Sequence, residues 1–133
     1  MFRYMENNTK IKSYTDLDVY QRSYKLSIIV CTKVIVKMPK EEKFDLVDQL
    51  RRSSKAIPRL IAEGFGKRTQ KKGFQKYLFD AISENNETIV SLCHVRDIYH
   101  EYINPKSTQK LIDEYEITGK QMYKLKQTWD KFS

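Results

Sequence analysis

From Phe74 to Tyr99 the chain sets a core-type residue at alternating steps of four and three: Phe74, Leu78, Ala81, Asn85, Thr88, Leu92, Val95 and Tyr99. An α-helix brings such positions onto one face, whereas a strand would repeat every second residue. The spacing predicts a helix from Thr69 or Gln70 to about Tyr102, about 50 Å long. A second row, Ile82, Ile89 and Cys93, widens the apolar face beyond what one seam needs. One row can face the bundle and the other a neighbouring subunit. Asn85 in the seam is either a polar residue that fixes helix register or a core group satisfied locally.

The same rule recurs in three further segments. Thr15 reads as the N-cap of a first helix that runs to about Lys37, with Leu17, Tyr20, Tyr24, Ile28, Cys31, Ile35 and Met38 along one face. Pro39 ends it, because proline disfavours α geometry in the residue before it. A second helix covers about Lys40 to Glu63, with Val47, Leu50, Ser54, Ile57 and Ile61 as its buried stripe and Gly64 as a left-handed residue after it. Pro58 inside this helix removes a hydrogen bond at a cost of about 3 kcal/mol, which predicts a kink and a free Ser54 carbonyl. Asn104-Pro105 breaks the chain, and Ser107 reads as the cap of a fourth helix. Its row is Leu111, Tyr115, Thr118, Met122, Leu125, Trp129 and Phe132, with Gly119 inside it at a cost of about 1 kcal/mol relative to alanine. Short connections make neighbours antiparallel. The expected fold is an all-α, up-down-up-down four-helix bundle over residues 15–133, preceded by a polar arm over residues 1–14.

At 133 residues the chain is one domain that can support its own core, and with 4 glycines and 3 prolines its composition favours helices. Cys31 and Cys93 both fall in helical patterns and read as buried free thiols of a reducing cytosol. Met1–Tyr14 has no apolar h-region, and no apolar run reaches the roughly 20 residues of a membrane span. The expectation is a soluble, cytoplasmic protein with no membrane partner.

Nothing in the sequence assembles a catalytic or metal site. His94 and His100 are six positions apart on one predicted helix and point to different faces. No triad pattern surrounds them, and Cys93-His94 lacks the further ligands a zinc site needs. Gly64 to Thr69 faintly resembles a phosphate loop, but it lacks the first glycine and follows a helix rather than a strand. No catalytic residue, metal, cofactor or small-molecule substrate is expected.

Charge is more informative. With 25 Lys and Arg against 17 Asp and Glu, the formal net charge is +8, which favours polyanionic partners. Lys67, Arg68, Lys71, Lys72 and Lys76 form a run with no acid. At a helix N-terminus such a run opposes the macrodipole, and a docked phosphate would relieve it. The alternatives are a solvated charge run or pairing with acids of a neighbouring subunit. On the second helix Arg52, Lys55 and Arg59 point away from the apolar stripe, where arginine can grip phosphate in a fork geometry. Arg51 flanks the stripe and reads as structural, paired with Glu63 or Glu87. The expected nucleic-acid contacts are therefore Arg52, Lys55, Arg59, Lys67, Arg68, Lys71 and Lys72.

Helices two and three also carry a recognisable block. Gln49-Leu50-Arg51-Arg52-Ser53-Ser54, then Ala56-Ile57-Pro58, then Ile61-Ala62-Glu63-Gly64-Phe65-Gly66-Lys67-Arg68 resembles the four-helix-bundle family of 23S rRNA intervening-sequence proteins. Leu17-Asp18-Val19-Tyr20-Gln21 and Met38-Pro39-Lys40-Glu41-Glu42 are similar to that family's opening, and the likeness spans roughly residues 15–100. The chain departs from the pattern at Leu60, where the family has asparagine, and at Ser83-Glu84, where it has Gly-Ser. The resemblance implies an antiparallel bundle that closes into a homo-oligomeric ring, with a pentamer expected, and no enzymatic activity. It further implies kinship with the accessory protein of diversity-generating retroelements, a basic ring that works with nucleic acid. The reading that joins residues and resemblance is a ring-forming bundle that binds RNA or DNA. The alternative is a protein-interaction scaffold whose charge serves solubility.

Overall fold

A computed structural model describes residues 11–132, and among these the chain forms four long α-helices and no strand. They are α1 (Asp18–Ile29), α2 (Leu46–Gly66), α3 (Gly73–Ile98) and α4 (Pro105–Phe132). Each packs on its neighbours in sequence and α1 packs back on α4, which closes an antiparallel up-down-up-down bundle. Residues 1–10 of the expected arm lie outside the described residues. Of the rest, Ile11 packs on the core and Ser13 caps a short 3₁₀ turn, Tyr14–Asp16. Asp16 returns the bond through its carboxylate, while α1 itself starts after Leu17 with no side-chain cap, so Thr15 is not its capping residue.

α1 corrects the sequence reading most. After Leu17 its inward row is Val19, Ser23, Leu26, Ser27, Val30 and Val34, shifted towards the N-terminus from the predicted Tyr20, Tyr24, Ile28 and Cys31. Of that predicted row, Leu17 and Ile35 are buried, Tyr20, Cys31 and Met38 are half-buried, and Tyr24 and Ile28 are 49% and 46% exposed. The two serines can face inward because each hydroxyl donates to its own helix, Ser23 to the Tyr20 carbonyl at 3.2 Å and Ser27 to that of Tyr24 at 2.6 Å. Beyond Ile29 the helix widens into a π turn, Val30–Val34, then tightens into a 3₁₀ turn, Ile35–Lys37. That extra residue lets both Val34 and Ile35 reach the core.

α2 starts later than expected, after a 3₁₀ turn at Lys40–Glu42, and runs unbroken through buried Pro58 to Gly66. Gly64 is not a left-handed terminator: no described glycine has positive φ. Its role is contact. A Cβ at Gly64 would lie 2.5 Å from the Tyr77 Cβ and 3.1 Å from a Phe74 ring atom, so the missing side chain lets α2 and α3 touch. α3 begins at Gly73 rather than near Thr69, because the chain first makes a tight turn. There Lys72 is left-handed at φ 56°, and the Lys67 carbonyl would sit 2.2 Å from a Cβ at Gly73. The helix ends at Ile98, four residues before the expected Tyr102, and α4 starts at Pro105, where the Asn104 side chain accepts from the Lys106 amide at 2.8 Å. Asn104, not Ser107, is the cap.

The core is aliphatic along its length, with Leu50, Ile57 and Ile61 of α2 facing Leu78, Leu92 and Val95 of α3 and Met122 and Leu125 of α4. Burying each such side chain stabilises by roughly 1.5–3 kcal/mol. One end is aromatic: Phe65, Phe74 and Trp129 meet edge to face at 4.8–6.3 Å. Two polar bonds cross the middle. Thr88 donates to Ser53 at 2.8 Å between α3 and α2, and Asn85 donates to the Tyr115 carbonyl at 2.8 Å between α3 and α4. Asn85 is thus bonded to a neighbouring helix rather than satisfied by its own.

Candidate nucleic-acid interface

With Tyr24 and Ile28 outside the core, α1 and α2 leave a groove between them. Its volume is about 750 Å³. On the α1 side stand Tyr14, Tyr20, Tyr24, Ile28, Cys31, Ile35 and Val36. On the α2 side stand Arg51, Lys55, Pro58, Arg59 and Ala62, and no carboxylate among the described residues lines it. The tyrosines form a ladder: Tyr20 meets Tyr14 edge-on at 4.8 Å and stacks on Tyr24 at 5.9 Å with an interplanar angle of 26°. Burial, and then the neighbouring Tyr14 and Tyr24, push the Tyr20 phenol above its ordinary range. α2 supplies the other wall because its apolar stripe faces inward and turns the cations at 51, 55 and 59 outward.

The groove takes in two of the seven cations expected to contact nucleic acid. Lys55 and Arg59 line the groove. Arg52 is paired with Asp48 at 3.2 Å one turn earlier. Arg68 is held at home, its guanidinium 4.0 Å over the Phe65 ring and donating to the Phe65 carbonyl at 2.9 Å. Lys67, Lys71 and Lys72 lie in the α2–α3 turn, Lys71 and Lys72 exposed and Lys67 half-buried. They therefore precede the helix instead of opening it.

The residues assigned structural roles divide as well. Arg51 pairs with neither Glu63 nor Glu87 among the described ion pairs, because its exposed side chain turns into the groove. Glu63 lies beside Tyr77, whose phenol is raised by burial and by that carboxylate. Glu87 faces Glu84, whose carboxyl is raised by burial first and by Glu87 second, while Arg52 and Arg59 act in the opposite direction. The departure at Ser83-Glu84 thus brings a half-buried carboxylate beside two of the outward arginines. Leu60, the other departure, packs against the core. Ile82, Ile89 and Cys93 are half-buried against the monomer's own core. The apolar side chains α3 leaves to solvent are Phe79, Val90 and Ile98 instead.

A second groove, of about 490 Å³, separates α1 from α4 and is rimmed by Lys33, Lys37 and Lys110. It contains no aromatic ring, and its one acid, Glu114, accepts from Arg22 at 2.6 Å. Sequence reasoning missed both grooves, although for the second a signal existed: between Val19 and Lys40 the chain carries Arg22, Lys25, Lys33, Lys37 and Lys40 and no acid, and Lys33 and Lys37 of that run rim it. Cys31 and Cys93 are free, and His94 and His100 are exposed. Among the described residues no group of His, Cys, Asp and Glu could hold a metal ion, and no helix is long and apolar enough to cross a membrane.

Together these features define a class: an all-α four-helix bundle that presents an aromatic and basic groove on one flank. A family model described as 23S rRNA-intervening sequence protein matches residues 15–124, and the chain belongs to that family. No curated protein matches it.

Proposed function

We propose that this chain is a non-enzymatic, self-associating bundle that binds RNA or DNA through the α1/α2 groove. The observation that carries this reading is the row Arg51, Lys55 and Arg59 along one wall of a groove whose described lining holds no carboxylate. Three cations at four-residue spacing recur about every 6 Å along a helix, so one strand of phosphates can meet all three. Neutralising phosphates releases condensed counterions, which drives binding without sequence preference. Lys67, Lys71 and Lys72 continue the positive field past the end of α2. Arg52 and Arg68, engaged by Asp48 and Phe65, contribute less. Fluorescence anisotropy with labelled RNA and DNA at low salt tests the reading. Wild-type protein should bind, and Lys55→Glu/Arg59→Glu should weaken binding by more than about tenfold.

Self-association through α3 is supported by Phe79 and Val90, 60% and 55% exposed. They lie about three turns apart on one face of α3. A ring assembled this way, a pentamer in the family's manner, would repeat the groove around an axis and let weak contacts add. The same exposed apolar residues favour a scaffold for another protein as the second reading. Absence of any RNA or DNA binding by the wild type would decide for it.

A further inference from the structure

We infer that the α1/α2 groove takes a single strand, its bases stacked on the tyrosines of α1 and its phosphates on the cations of α2. This rests on the nucleic-acid reading of the same groove and goes beyond it to the class of ligand. Two ladders face each other there. Tyr20, Tyr24 and Ile28 advance by four residues on one helix, and Arg51, Lys55 and Arg59 advance by four on the other. Both ladders climb about 6 Å per step, because both are carried on α-helices. An extended strand alternates bases and phosphates with one common period, so the two walls can be read in step.

The chemistry of the lining separates single strands from duplexes. Tyr24, 49% exposed, and Tyr14, 37% exposed, present aromatic surface to solvent outside the core cluster. Ile28, Cys31 and Val36 extend that surface along the groove. A duplex keeps its base faces stacked inside itself and would set charged backbone against these apolar groups. A single strand offers free base faces, which stack on aromatic rings whatever their sequence. The α1/α4 groove makes the contrast: its three lysines offer charge with no ring beside them.

Three fluorescent probes test this: a short oligothymidylate, an abasic strand with the same number of phosphates, and a duplex of the same length. Wild-type protein should prefer oligothymidylate over the abasic strand by about fivefold or more. Tyr24→Ala should remove the preference, and Tyr24→Phe should keep it, since the ring and not the hydroxyl stacks. Circular dichroism of both variants confirms that they fold. Equal wild-type affinity for all three probes would overturn the single-strand inference and leave the groove reading in place. A preference that survives in Tyr24→Ala would overturn the placement of bases on α1. Binding to none of the probes would overturn both readings.

Discussion

The side-chain amide of Asn85 on α3 donates to the main-chain carbonyl of Tyr115 on α4, and the glycine one turn further along, Gly119, makes room for it. A Cβ at 119 would lie 3.0 Å from the Asn85 Nδ2. Helix propensity alone says that Gly119→Ala stabilises by about 1 kcal/mol. Because the amide is pinned by its bond, the substitution should destabilise the wild-type bundle instead, and should stabilise it in an Asn85→Ala background. Denaturant unfolding of the four proteins in this cycle measures the coupling, and additive effects would contradict the contact.

Gly64 and Gly66 are two residues apart on α2 and should respond in opposite directions. Gly64→Ala forces a Cβ into the Tyr77 Cβ at 2.5 Å, with no flexible chain end to yield. Overpacking of this kind costs about 1–3 kcal/mol. Gly66 has nothing within 4 Å of an added Cβ. Gly66→Ala should be neutral or stabilising by up to about 1 kcal/mol. Thermal and denaturant melts of the pair check the sign of each change.

Tyr99 donates its hydroxyl to Glu42, which ties the end of α3 to the α1–α2 connection. That bond, reinforced by burial, pushes the phenol up to about 12 from an ordinary 10.0. A raised phenol contributes stability that is fully present below about pH 10 and lost as pH rises toward 12. Tyr99→Phe should therefore lower stability at neutral pH and flatten its decline between those values. An unchanged alkaline limb in the variant would show that Tyr99 does not carry it.

If α3 makes the subunit contact through its outer row, Phe79→Asp and Val90→Asp should give smaller species that keep full helicity. Ile89→Asp should unfold the chain instead, because Ile89 packs against the monomer's own core. Light scattering after size-exclusion chromatography separates these outcomes. Wild-type protein that is already monomeric at micromolar concentration would contradict self-association.

The order of the helices was legible because four-three spacing sustained over several turns has one structural solution. Which of two adjacent rows faces inward was not. On α1 the true row contains Ser23 and Ser27, which look polar until their hydroxyls are satisfied by their own helix, while the outer row contains Tyr24 and Ile28. The tyrosines therefore read as core, and the groove they line stayed hidden. Lys55 and Arg59 could be placed outward from the α2 wheel alone. Arg51 could not, because a position flanking the stripe reads as a partner for an acid, whereas it lines an open cleft. Gly64 reads as a helix terminator for a similar reason: its necessity comes from atoms of Tyr77 brought in by tertiary packing, just as the Lys67 carbonyl in the turn, which no spacing signals, requires a glycine at 73.

The salt dependence of binding to a single-stranded oligonucleotide tests the central claim most directly. Three groove cations that neutralise three phosphates predict a slope of log affinity against log salt of roughly −2 for each bound subunit. Lys55→Glu/Arg59→Glu should weaken binding and flatten the slope, while Lys71→Glu/Lys72→Glu, in the α2–α3 turn, should change both much less. Helicity and assembly should be unchanged in all. A slope that stays the same when Lys55 and Arg59 are reversed, or no binding by the wild type at low salt, would contradict a nucleic-acid site between α1 and α2.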